Sequence, residues 1–184
     1  MKCRFKSHRR SRLRFLGELV LILGTSGSVF RTATVVRSEL RLETKQTADP
    51  QFLLRQADTS RARQRRESNV EAIQRYLEAS QLLRNAGDLA GSAQALTNAG
   101  EMYKELGDLR NALQSFQGSL DLNKRSKNLL QEGEALNGLA SVHFLKGEAT
   151  AARAESLKAL DCANRIKDDS LKAAALTNLG ESFF

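Results

Sequence analysis

The chain has 184 residues, enough for one ordinary domain or for a short helical array behind a leader, and 41% of them are hydrophobic, which is compatible with a packed core. One proline, no tryptophan, two tyrosines and an abundance of Ala, Leu, Glu, Gln, Lys and Arg favour helix and exclude a strand-rich class, since these side chains lose little rotamer freedom in a helix. The net charge of +8 suggests nucleic acid until it is mapped: residues 1–14 carry seven basic residues and no acid, whereas residues 67–184 carry 13 basic against 16 acidic, so the body lacks the cations that gripping phosphates requires and no nucleic acid is expected.

Residues 1–30 read as a leader. The seven cations are followed by the apolar run Phe15–Leu23 and by small residues from Gly24 to Ser28, the order of a secretory signal. The apolar stretch to Phe30 is about 16 residues long and contains Glu18, short of the roughly 20 needed to span a bilayer, so cleavage fits better than anchoring. Export to the periplasm or outside is therefore expected. The alternatives are an inner-membrane tether with the N-terminus in the cytoplasm and the rest outside, or a basic tail on a cytoplasmic chain. Any contact with membrane runs through this leader alone. Residues 31–49 follow as a polar linker without regular spacing.

Helix is predicted to begin at Asp49-Pro50, with Asp49 capping free amides and Pro50 at the first helical position, where its missing N–H costs nothing. Residues 50–87 then read as a degenerate helical hairpin. Its first half is rich in arginine (Arg55, Arg61, Arg63, Arg65, Arg66), as befits a terminal unit facing solvent, and its second half contains Ala72 and Tyr76 in register with Ala112 and Phe116.

The strongest signal is self-similarity at an offset of 40 residues. ALTNAGEMYKELGDLRNALQSFQGSL from Ala95 aligns without gaps on ALNGLASVHFLKGEATAARAESLKAL from Ala135, and then on ALTNLGESFF from Ala175. The units are 88–127, 128–167 and 168–184, the last stopping within its first helix, so that Leu176, Leu179, Gly180 and Phe183 lack a covering partner. That reads as a truncated array and offers an end through which two copies could pair. Gly107 and Gly147 are placed to end one helix with a left-handed turn, and Asp108 to cap the next. Gly100, Ala140 and Gly180, with Ala112 and Ala152, keep bulk out of close helix approaches. Leu96, Leu136, Tyr103, Phe116, Leu120 and Leu160 fill the space between units on stripes spaced three and four apart.

Leu96, Gly100, Tyr103, Gly107, Ala112, Phe116 and Leu120 stand at the signature spacings of the tetratricopeptide repeat, which residues 68–184 resemble. The 40-residue period is similar to that of long-period bacterial repeat proteins and of spindle-orientation adaptors. The resemblance implies an all-α fold, a right-handed α-solenoid of antiparallel helix hairpins, and a protein-interaction scaffold that binds a protein or peptide in its concave groove. The groove positions it implies are Gln94, Thr97, Asn98, Glu101, Lys104 and Glu105, then Glu134, Asn137, Ser141, Phe144 and Leu145, then Thr177, Asn178 and Glu181. Asn98 and Asn178 match the position whose amide bonds a ligand's backbone; Gly138 stands there in the middle unit. With Lys104 nearly alone as a groove cation, a ligand held by its C-terminal carboxylate is not expected. The chain departs from the family in lacking its late proline and in placing His143 and Ser156 at aromatic positions. A leader, linker and long-period repeats in this order also resemble the N-terminal part of bacterial proteins ending in a caspase-like CHAT peptidase domain. A regulatory arm of such an enzyme is therefore the alternative reading.

Catalysis has little support. Only His8 and His143 are present, and His143 sits at a packing position where a core histidine is the simpler expectation. No Ser/His/Asp, Cys/His or metal-ligand spacing occurs. Asp168-Asp169 reads as a helix cap, and Gly24 and Gly27 are followed by no Lys-Ser or Lys-Thr of a phosphate loop. Cys3 lies in the leader and Cys162 in a helical stretch as a small core residue, so no structural disulfide is expected. No cofactor and no metal are called for.

Overall fold

A computed structural model describes residues 49–63 and 66–183; the leader and all but the last residue of the linker lie outside the described residues. The described helices belong to the unit Thr47–Phe184. They are α1 (Pro50–Ala62), α2 (Arg66–Asn85), α3 (Leu89–Glu105), α4 (Leu109–Ser126), α5 (Leu129–Leu145), α6 (Ala149–Ile166) and α7 (Asp169–Glu181). No strand occurs among the described residues, and none of these helices is long and apolar enough to cross a membrane.

The turns explain why the chain breaks where it does. Asp49 opens α1 by accepting a hydrogen bond from Gln51 N at 3.0 Å, with Pro50 at the first helical position. From α3 onward the N-cap recurs every 20 residues, at Asp88, Asp108, Asn128, Glu148 and Asp168. Four of the five accept from the amide three residues on, at 2.8 to 3.2 Å. Glu148 is too long for this; its carboxylate turns back to Lys146 Nζ and His143 Nδ1, each at 2.6 Å. Each N-cap residue also donates its own amide to the carbonyl five residues back, on Leu83, Tyr103, Asn123, His143 and Ala163, at 2.9 to 3.1 Å, which satisfies an orphan carbonyl of the helix just ended. The sharp reversal requires positive φ at one residue per turn. Gly107 (φ 77°) and Gly147 (φ 74°) supply it as expected, Gly87 (φ 84°) supplies it before α3, and at the equivalent points before α5 and α7 the chain uses Lys127 (φ 58°) and Lys167 (φ 57°).

Each helix packs on its successor, and α3–α5 and α5–α7 also touch, so the odd-numbered helices from α3 form a contiguous row. The interior is rich in alanine, with Ala72, Ala99, Ala112, Ala135, Ala140, Ala152 and Ala159 fully buried. Small side chains let helix axes approach, and the few large ones carry much of the apolar burial. Phe116, fully buried, lies in a seat made by two glycines: a Cβ on Gly100 of α3 would come within 2.9 Å of its ring, and one on Gly138 of α5 within 2.4 Å. Gly100 thus keeps the close approach expected of it. Gly180 does not, since nothing lies within 4 Å of the place its Cβ would occupy.

Tyr76 is fully buried beside α1, and its hydroxyl donates to Asp58 Oδ1; burial first, and then the Asp58 carboxylate, push the phenol pKa upward. A second polar thread crosses from α3 to α4, where Thr97 Oγ1 and Ser119 Oγ lie 2.7 Å apart and Asn123 Nδ2 donates to Ser119 at 3.2 Å. Cys162 is buried, as expected. His143 is not a core residue: its side chain is 21% exposed and held to Glu148, because position 143 lies in the last turn of α5, where the charge of the next cap can reach it.

Candidate protein-binding groove

A groove of about 600 Å³ is bounded by α3, α5 and α7, with Arg61 of α1 at its edge. The row of odd-numbered helices creates it. Along an α-helix, residues three and four apart share a face, so each helix contributes a short ladder of side chains to the same surface.

Nine of the fourteen residues expected in a groove line this one: Gln94, Thr97, Asn98, Glu101 and Lys104 from α3, Glu134, Asn137 and Ser141 from α5, and Asn178 from α7. The other five do not. Glu105 ends α3 and is within 3.4 Å of Asn69 Nδ2 of α2, Phe144 and Leu145 end α5 and are exposed, and Glu181 ends α7. Thr177 is exposed and its hydroxyl donates to Ala173 O on its own helix at 3.0 Å. The groove also contains Arg61, Leu130, Ser170, Leu171 and Ala174, which sequence reasoning did not name, together with Gly138, expected where the middle unit lacks the groove amide, and Asp168, expected only as a helix cap. Ala174 was within reach, standing 40 residues after Glu134. Arg61 carried no such signal, because its unit is degenerate.

Several groove side chains are already engaged. Thr97 is buried and its hydroxyl is shared with Ser119. Asn178 Nδ2 donates to Asn137 O at 3.1 Å and lies 3.3 Å from Asn137 Oδ1, tying α7 to α5. Gln131 Nε2 donates to Gln94 Oε1 at 2.8 Å, and Gln94 Nε2 reaches Asn98 Oδ1 at 3.4 Å, so a chain of amides joins α5 to α3. Lys104 Nζ sits 2.6 Å from Glu101 Oε2. The amides expected to meet a ligand's backbone therefore spend part of their capacity holding neighbouring helices together.

Glu134 stands apart. It is half-buried, and among the described residues it makes no ion pair and no side-chain hydrogen bond. Burial raises its carboxyl pKa, and the negative charge of Asp168 adds to the shift. The Glu134 carboxylate thus lies in the field of Asp168. Among the described residues no group of three or more His, Cys, Asp or Glu side chains is arranged to hold a metal ion.

No protein-family model matches the chain, and no curated protein matches it.

Proposed function

We propose that residues 50–183 form tetratricopeptide-type repeats stacked as a right-handed α-solenoid, and that the chain is a non-enzymatic scaffold holding a segment of another protein in the groove along α3, α5 and α7. One observation carries this reading: nine residues assigned to a ligand groove by the repeat resemblance line a single concavity, and one of them, Glu134, is a half-buried carboxylate without a partner among the described residues. Concave faces of stacked helix pairs commonly receive extended peptides or helices, with backbone bonds for affinity and pockets for selectivity. The free amide capacity of Asn98 and the hydroxyl of Ser141 suit a peptide backbone. Glu134 and Asp168 suit a lysine or arginine on that peptide, since a cation between them relieves their repulsion and the desolvation of Glu134.

Selection of peptides from a random displayed library on the chain tests the proposal. Selected sequences are expected to be enriched in Lys or Arg and to bind at least about tenfold more weakly to the N98A/E134A/S141A variant, the loss of one or two contacts of about 1.4 kcal/mol in total. Peptides that bind the triple variant as well as the parent would refute the groove assignment.

A further inference from the structure

The seam between α1 and α2 departs from the one between α3 and α4 in the residues it uses. At the 40-residue offset, Gln56, Ser60 and Arg63 stand where α3 has Leu96, Gly100 and Tyr103, and Arg75 stands where α4 has the buried Ser115. The later seam closes on the Phe116 ring. The earlier one leaves an opening of about 330 Å³, lined by the guanidinium groups of Arg55, Arg63 and Arg75 and by one carboxylate, that of Glu71. Arginines that only keep a surface soluble point away from one another into water; these are gathered on one opening.

Arg75 is fixed in place. Its Nε donates to Gln56 Oε1 at 2.7 Å, its Nη1 to Ser60 Oγ at 3.3 Å and its Nη2 to Glu71 Oε1 at 2.9 Å. A guanidinium has further N–H donors beyond these, so Arg75 keeps donor capacity on a group whose orientation is already set. Glu71 is neutralised by the same contact: a hydrogen bond from Arg75 and then its charge hold the Glu71 carboxyl below its ordinary value, and Ser60 Oγ donates to its other oxygen at 3.4 Å. Arg55 and Arg63 are exposed. Arg55 meets Asp49 only at 4.0 Å with both side chains largely in water, a pair too solvated to hold it, and Arg63 makes no ion pair among the described residues. With Glu71 and Arg75 cancelling, the cations of Arg55 and Arg63 remain on the opening.

We propose that this opening is a binding site for a phosphate monoester, gripped by Arg75 from the fixed wall and by Arg55 and Arg63 from the mouth. Charge decides between phosphate and carboxylate. A single carboxylate leaves one of the two remaining cations uncompensated, whereas a phosphate monoester carries about −1.5 to −2 at pH 7 and offers three acceptor oxygens to guanidinium forks. A phosphorylated side chain and a free phosphate present the same group. None of the residues lining this opening lines the groove along α3, α5 and α7, so the site stands or falls independently of the function proposed above.

Calorimetric titration of the full chain with a short peptide bearing one phosphothreonine tests the proposal, beside the same peptide with glutamate at that position and beside inorganic phosphate alone. The cations of residues 1–14 also attract anions, so the deciding comparison is between the parent chain and Arg55→Gln/Arg63→Gln. Both side chains are exposed, and an unchanged melting temperature verifies that the double variant folds. The phosphopeptide is expected to saturate the parent and to bind at least about tenfold more weakly to the double variant, through the loss of two charge-assisted contacts. Inorganic phosphate that binds as tightly, with the same loss in the variant, assigns the site to a free phosphate; a tighter phosphopeptide assigns it to a phosphorylated protein. Binding indifferent to Arg55→Gln/Arg63→Gln, or a glutamate peptide held as tightly as the phosphopeptide, overturns the proposal.

Discussion

The ring of Phe116 fills the space that any side chain at position 138 would need: a Cβ on Gly138 would lie 2.4 Å from Cε1 and 2.5 Å from Cδ1. The contact joins α4 to α5, so it holds one unit against the next. Gly138→Ala forces the ring or the helix aside and is expected to cost about 1–3 kcal/mol. Phe116→Ala instead opens a void among alanines too short to collapse into it, at about 3–5 kcal/mol. The two are coupled through shared space. In a Phe116→Leu background Gly138→Ala should cost measurably less than in the parent, and urea denaturation of the four proteins reads the difference. Additive costs would show that the ring is not confined as described.

Lys127 and Lys167 adopt left-handed backbone at points where the equivalent turn before α3 uses Gly87. A non-glycine residue there carries a steric cost of roughly 1–2 kcal/mol, partly offset because glycine is freer in the unfolded chain. Lys127→Gly and Lys167→Gly should each stabilise by about 0.5–1 kcal/mol, seen as a raised midpoint at constant slope in denaturant. Gly107→Ala and Gly147→Ala should do the reverse.

Loss of an N-cap should be felt at every turn but one. Asp88→Ala, Asp108→Ala and Asp168→Ala each remove a side-chain acceptor from a helix start and are expected to cost about 1 kcal/mol. Glu148 bonds no amide of α6, so Glu148→Ala should cost less at the helix start. Its effect should depend on pH instead. Hydrogen bonds from Lys146 and then His143 hold the Glu148 carboxyl below its ordinary value near 4.5, so whatever stability the cluster adds is present above that value and lost as pH falls through the lowered one.

Glu134 has the opposite sign. Its pKa is raised above 4.5, so the folded chain binds a proton that the unfolded chain has already released, and stability falls as pH rises from 4.5 through the raised value. Glu134→Gln should match the parent below pH 4.5 and exceed it in stability at neutral pH, by thermal denaturation across the range. A variant no more stable than the parent at pH 7 would mean that the Glu134 carboxylate is not disfavoured in the fold.

The turns are the most legible part of the fold, because each depends on a local requirement that one residue type meets best: Asp108 and Asp168 for capping, Gly107 and Gly147 for positive φ. Lys127 and Lys167 escaped notice because lysine announces no left-handed turn; their equivalence to Gly87 at the 40-residue offset was the available sign. The seat of Phe116 was half visible. The repeat spacing marks Gly100 as a close approach, whereas at Gly138 it marks only a missing amide, since the role of Gly138 depends on a ring from the preceding helix that no local pattern reveals. In the groove, the period marks the mid-helix positions except Thr177, whose hydroxyl bonds back to Ala173 O of its own helix, while the helix-end residues Glu105, Phe144, Leu145 and Glu181 fall outside, because the face of a helix stops contributing where the backbone turns away. The repeat register points to a core position for His143 because it gives the place of the residue and not the reach of Glu148 from the next cap.

Among the described helices, substantial packing reaches no farther than the next helix but one. Such a molecule has no single keystone. Damage at one end is transmitted to the other only through intervening neighbours, so partial fraying of the outermost helix can coexist with an intact middle. Short-range closure also means that few long loops must be gathered before contacts form, which favours rapid assembly from any well-formed point.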